Sequence, residues 1–171
     1  MRTKYGLIVL AAMNVFLCLA YSPEELKTAA NSGAWQDIAK AITEESDIKL
    51  RAALELQAAD LALHAGESAH AYRWVRDCLR IGTDASMSDD DIQRAKAMLE
   101  FILRNSADQV EVTLLMAQSL KEESDPGMLL DGAALLLGRA EEWKKKKYAE
   151  WPELVDSLLD GLARFRDVGD P

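Results

Sequence analysis

Residues 52–84 read AALELQAADLALHAGESAHAYRWVRDCLRIGTD. Small and apolar side chains recur at three- and four-residue steps on either side of Gly66, with Ala58 and Ala62 before it and Ala71, Val75 and Cys78 after it. That step is the period of an α-helix with a buried face, and nothing here alternates apolar and polar residues as a half-buried strand would. Gly66 interrupts the pattern where a left-handed residue would end one helix and turn the chain into the next. The stretch therefore predicts two antiparallel helices, 47–64 and 67–81, joined by a tight turn.

The same signals continue outward in both directions. Ser22-Pro23-Glu24-Glu25 is a capping box with proline at the first helical position, where its missing N–H costs nothing. Ser46 opens the long helix before Gly66. Ser88-Asp89-Asp90-Asp91 sets carboxylates on the open N–H groups of another start, where the helix dipole favours negative charge. Ser106-Ala107-Asp108-Gln109, Asp125-Pro126 and Pro152 mark further starts, and Gly33 and Gly82 further ends. The fold class this predicts is all-α, with helices 23–31, 34–44, 47–64, 67–81, 89–104, 107–122, 127–147 and 152–166. Gly138 is a candidate break in the seventh, and 167–171 is a frayed tail. Short connections make consecutive helices antiparallel neighbours, paired as four hairpins.

The turn glycines Gly33 and Gly66 lie 33 residues apart, and Asn105, another residue type that tolerates a left-handed backbone, lies 39 beyond Gly66. A period in the low thirties with one helical hairpin per unit is what stacked repeats produce. Over 52–84 the sequence resembles a tetratricopeptide repeat. Ala58-Ala59 stands at the Leu-Gly position, Ala62 at the first-helix aromatic position and Gly66 at the turn. Ala71 stands at the small residue of the second helix, Val75 at the large apolar one after it, and Cys78-Leu79 at the late Ala-Leu pair.

The match departs at Thr83, where the family has proline, and at Ala59, where it has glycine. The unit from Asp91 follows only in period, with Val110 at the small position, and the last third of the sequence does not match. The resemblance implies a short right-handed superhelix of hairpins, with Ala59 and Ala71 at a close helix crossing. It also implies a concave groove lined by the first helix of each pair, on Lys27 and Asn31 in one unit and on Leu56, Asp60 and His64 in the next. Segment 152–166 would cap the stack. Leu154, Val155, Leu158, Leu159, Leu162 and Phe165 form one stripe, opposite Glu153, Asp156, Asp160 and Arg164.

The N-terminus has a different composition. Arg2 and Lys4 precede an apolar run from Gly6 to Ala20 broken only by Asn14. This is the build of a secretory signal peptide cut after Ala20, and the run falls short of the roughly 20 apolar residues a membrane span needs. An uncleaved anchor and a lipid-modified Cys18 are the alternatives, the second weakened by Leu17 where a lipobox needs a small residue. The protein is thus expected to be exported, periplasmic or secreted, with one helical domain over 21–171. Removal of 1–20 would leave Cys78 as the sole cysteine, so no internal disulfide could form and a hydrophobic core must supply the stability.

The net charge of the whole sequence is −9; without Arg2 and Lys4 there remain 18 basic against 29 acidic side chains. Such a surface repels phosphate backbones and anionic headgroups. It argues against nucleic acid, and against membrane contact unless the N-terminal segment is retained or Cys18 lipidated.

No constellation carries catalysis. Cys78 lies late in its helix among Trp74, Val75 and Leu79, where the dipole does not favour a thiolate, and reads as a buried small residue. His64 and His70 flank the Gly66 turn without the i, i+4 spacing of paired metal ligands; Asp60 with His64 is the one arrangement that would suit Zn or Cu, and no metal or other cofactor is expected. Trp143-Lys144-Lys145-Lys146-Lys147-Tyr148 is the one basic island. With Glu141 and Glu142 one turn ahead it reads as a solvated helix end, and otherwise as a docking patch. Acid pairs sit at helix ends, and phosphate loops, nucleophile elbows and zinc-protease motifs are missing. The sequence therefore predicts a non-catalytic exported module that binds a protein or peptide partner in a groove. The alternatives are a compact bundle serving as a structural subunit or inhibitor-like partner, and a small-ligand or metal binder at Asp60 and His64.

Overall fold

A computed structural model of the protein describes residues 21–82, 84–106, 109–122 and 126–168, with side chains for all of these except 126–128 and 164–168. The proposed signal segment 1–20 and Cys18 lie outside the described residues, as do Thr83, Ala107, Asp108 and Asp125. Among the described residues there are eight helices and no strand: α1 (Pro23–Asn31), α2 (Trp35–Glu44), α3 (Ile48–Ala65), α4 (Ser68–Ile81), α5 (Asp89–Asn105), α6 (Val110–Ser119), α7 (Pro126–Lys146) and α8 (Trp151–Val168). A 3-10 turn, Leu120–Glu122, follows α6. The fold is all-α, as its apolar periodicity predicts.

Local chemistry sets most boundaries. The Ser22 hydroxyl accepts from the Glu25 N–H at 3.3 Å while the Glu25 carboxylate accepts from the Ser22 N–H at 2.8 Å, closing the capping box. The Ser22 N–H and the Ser22 hydroxyl both donate to the Glu25 carboxylate at 2.8 Å, and these two bonds hold its pKa below the ordinary value. Gly66 takes φ +82°, and the N–H of Glu67 reaches back to the Ala62 carbonyl at 2.8 Å, a Schellman closure that Gly33 repeats at φ +74°.

Several expected boundaries are corrected. Asp47, not Ser46, caps α3, because its carboxylate accepts from the N–H groups of Lys49 and Leu50 at 2.9 and 3.2 Å. Gly82 keeps right-handed dihedrals; space is what constrains it, since an added Cβ would come 3.2 Å from the Cys78 carbonyl oxygen. Ser106 turns its hydroxyl onto the Ile102 carbonyl and caps nothing, and α6 starts only at Val110. The seventh helix runs through Gly138 unbroken, and α8 extends to Val168.

The described residues group into two compact units divided between Phe101 and Ile102, inside α5. In the first, α3 packs on α1, α2 and α4, and its pairing with α4 is the most extensive. Ala58, Ala59 and Ala62 on α3 and Ala71, Val75 and Cys78 on α4 are completely buried, so short side chains fill the seam between these helices. Beside it His70 stacks on Trp35 and Trp74, with ring centroids 6.0 and 5.3 Å away.

In the second unit α6, the 3-10 turn, α7 and α8 pack on one another. The terminal helix rests on α7, the turn and α6. Its buried face is narrower than the apolar stripe. Leu154, Ser157, Leu158 and Gly161 face inward, while Leu159 is 59% exposed and Leu162 37%. Leu120 explains the choice of face: it seats against both Gly132 of α7 and Gly161 of α8. Arg139 is buried here, donating to the Thr113 hydroxyl at 2.9 Å and to the Leu103 carbonyl.

Three helical glycines of this unit should respond differently to alanine. At Gly161 an added Cβ would lie 2.8 Å from Leu120 Cβ, next to the main chain, so Gly161→Ala should cost about 1 kcal/mol net of its helix-propensity gain. At Gly132 the clash is with Leu120 Cδ2, the movable end of the same side chain, and the cost should be smaller. Gly138 meets nothing within 4 Å, and Gly138→Ala should stabilise by about 0.5–1 kcal/mol. Urea denaturation of the three variants checks this order.

Candidate binding site on the third helix

One face of α3 is not covered by another helix along its length. Lys49, Ala53, Leu56 and Asp60 follow one another at helical steps, and opposite them stand the 84–88 segment and the first turns of α5. The space between is a cavity of about 520 Å³. Leu56, Leu61, Ala85 and Met87 supply apolar wall; Gln57, Ser86, Ser88, Asp91 and Arg94 supply polar groups. Ser86 holds a left-handed backbone at φ +53°, uncommon for a residue with a side chain, in the segment that forms the far wall.

Two of the five groove residues expected from the sequence, Leu56 and Asp60, line this cavity. His64 continues the row one turn on, exposed and outside the lining, while Lys27 and Asn31 are exposed on α1 and take no part in it. Lys49, Gln57, Ser86 and Arg94 were not anticipated. The first two could have been found by extending the Leu56–Asp60 row backward and sideways along the helix. Arg94 could not, because only the tertiary path of 84–88 brings α5 beside α3.

Asp60 and His64, one turn apart on α3, each already have a partner within the fold. The Asp60 carboxylate already holds the Arg94 guanidinium at 3.0 Å. His64 Nδ1 lies 2.8 Å from the Asp60 carbonyl oxygen, which can only accept, so that nitrogen carries its proton. It stands 3.9 Å from the carboxylate. Among the described residues no three His, Cys, Asp or Glu side chains gather as a metal site would require.

Behind the cavity wall lies Cys78, its sulfur 3.6 Å from Met87 Sδ and 3.5 Å from the Ala52 carbonyl oxygen. Burial, reinforced by the carboxylates of Glu55 and Asp91, pushes its pKa up to about 12. The thiol is a buried small residue, and desolvation is the main cause of its raised pKa.

Glu55 carries no sequence signal that sets it apart, yet it is completely buried. Arg51 Nε donates to its Oε1 at 2.9 Å, and Oε2 has no hydrogen-bond partner among the described residues. Burial raises its pKa against the opposing pull of Arg51. The folded state therefore favours the protonated acid. That contribution is fully present below the ordinary carboxyl value of about 4.3 and is lost as pH rises through the higher folded value. Thermal melts over a pH series should show a fall in Tm across that window, and Glu55→Gln should flatten it.

The basic island is a helix end. Lys144, Lys145, Lys146 and Lys147 are exposed, and Lys147 turns the backbone at φ +59°. Trp143 is buried and stacks on Tyr148 at 5.1 Å, so it offers no open ring to a ligand; Lys144 Nζ sits 5.6 Å from the Trp151 ring centre. Among the described residues no helix is long and apolar enough to cross a membrane.

Fold and site together define a class no narrower than an all-α protein with an open cavity of mixed polarity. Compared with known proteins, the sequence matches no family model, no curated protein and no solved structure.

Proposed function

We propose that this protein is an exported, non-catalytic helical module that holds a segment of a protein or peptide partner in the cavity on α3, within a hairpin stack of the tetratricopeptide kind. The observation that carries the reading is the cavity itself. Its volume of about 520 Å³ lies within the range of ligand sites, and apolar wall and convergent polar groups share its lining. The completely buried alanines along α3 and α4 support the repeat resemblance, and the net charge of −9 weighs against nucleic acid as the occupant.

Ala53 lines the cavity and is exposed, so Ala53→Arg should obstruct it without disturbing the core. A partner retained from envelope extract by the natural protein and lost with Ala53→Arg is the expected result. Equal retention by both would sink the reading. Export is tested separately by intact mass, which should place the mature N-terminus at Tyr21; a retained Met1 or a lipidated Cys18 would favour the anchored alternatives.

A further inference from the structure

The polar groups around the cavity are unevenly occupied. Its two acids are already answered, Asp60 by Arg94 at 3.0 Å and Asp91 by the Ser88 hydroxyl at 2.7 Å. The Lys49 ammonium, the Gln57 carboxamide and the Ser86 hydroxyl make no hydrogen bond or ion pair among the described residues. Arg94 has five N–H donors, of which Asp60 engages those on Nη2. Open hydrogen-bonding capacity is therefore mostly donor capacity, with two cations in it, set above apolar surface from Leu56, Leu61 and Met87.

Resting on the peptide-binding reading, we propose that the group this cavity holds is a carboxylate carried next to an apolar side chain, with Lys49 and Arg94 as its cationic partners. A carboxylate supplies acceptors without adding a donor, and charge-assisted hydrogen bonds to it are stronger than neutral ones. A ligand cation would meet Asp60 and Asp91 with one oxygen of each already engaged and would face Lys49 and Arg94 as like charges. The overall negative charge of the protein opposes an anion at long range, but salt screens that field beyond about 10 Å at 0.1 M, which leaves the groups in the cavity to decide.

The carboxylate can come from the C-terminus of a peptide or from an acidic side group within it, and four probes separate these sources. They are acetyl-Leu-Leu with a free terminus, acetyl-Leu-Leu-amide, acetyl-Leu-Glu-amide and acetyl-Leu-Gln-amide, titrated into the ¹⁵N-labelled protein and followed by NMR at the amides of Leu56, Asp60 and Arg94. Either or both carboxylate probes should bind about tenfold more tightly than their neutral counterparts. Lys49→Gln should bring the carboxylate probes down to the affinity of the neutral ones, whereas Lys40→Gln on α2 should leave the preference in place. The stronger carboxylate probe identifies the source. Equal binding of charged and neutral probes would overturn the carboxylate assignment while leaving the peptide reading intact. Absence of shifts with all four at millimolar concentration would overturn both.

Discussion

Trp143→Ala is expected to lower stability by about 3–5 kcal/mol, a large share of the 5–15 kcal/mol typical of a folded domain. The side chain is 1% exposed and is among the largest wholly buried groups of the second unit. Truncation would remove its packing and its stack on Tyr148, and would leave a cavity that a helix end cannot collapse into. Trp143→Phe should cost far less. It keeps most of the ring and removes an indole N–H that is buried without a hydrogen-bond partner among the described residues. Urea denaturation followed by circular dichroism separates the two. A loss below about 1 kcal/mol for Trp143→Ala would show that this helix end is far looser than its burial implies.

Ala71→Leu should cost about 1–3 kcal/mol by overpacking. Ala71 is completely buried on α4, the helix most extensively packed on α3, where Ala58, Ala59 and Ala62 are buried as well. Three extra carbons there must push the two helices apart or force strained rotamers. Cys78→Ala, at a neighbouring buried site, should lose less and leave partner binding unchanged. If Ala71→Leu proved neutral, the seam would have room to spare, and the alignment of Ala71 with the small residue of a tetratricopeptide hairpin would lose its physical basis.

Helix placement was legible because its signals are local. Pro23, the Ser22 box, Ser88 with Asp91, and the left-handed Gly33 and Gly66 act through atoms a few residues away, so the sequence carries them whole. The boundaries it misjudged depend on competition between near-equal local choices or on tertiary contacts. Ser46 and Asp47 are both capping residue types, and only the latter reaches the open N–H groups. Lys147 adopts a left-handed turn without glycine because the Tyr148 N–H closes on the Trp143 carbonyl at 3.1 Å while their rings stack.

The candidate site was half legible for the same reason. Leu56 and Asp60 follow from spacing along one helix, whereas Arg94 and Ser86 arrive through the tertiary path of another segment. Glu55 was invisible because α3 packs on α1, α2 and α4, and a helix surrounded in this way has buried residues on several faces and no single stripe for a misplaced acid to interrupt. Arg139 escaped notice because nothing local distinguishes a buried arginine on α7 from an exposed one; its partners Thr113 and Leu103 are remote in sequence.

The sealed position of Cys78 gives the first unit a built-in clock. Its sulfur is wholly inaccessible, and among the described residues it is the one cysteine. A disulfide reagent in solution can react only with molecules in which α3 and α4 have momentarily parted. When reclosing is fast, the labelling rate equals the rate for an unstructured thiol multiplied by the opening equilibrium constant, so the ratio of the two reports the opening free energy under native conditions. A tightly bound occupant of the neighbouring cavity, walled by Met87 against that same sulfur, should slow the reaction in proportion to its saturation, giving a chemical readout of binding that works whatever the ligand's spectrum or size.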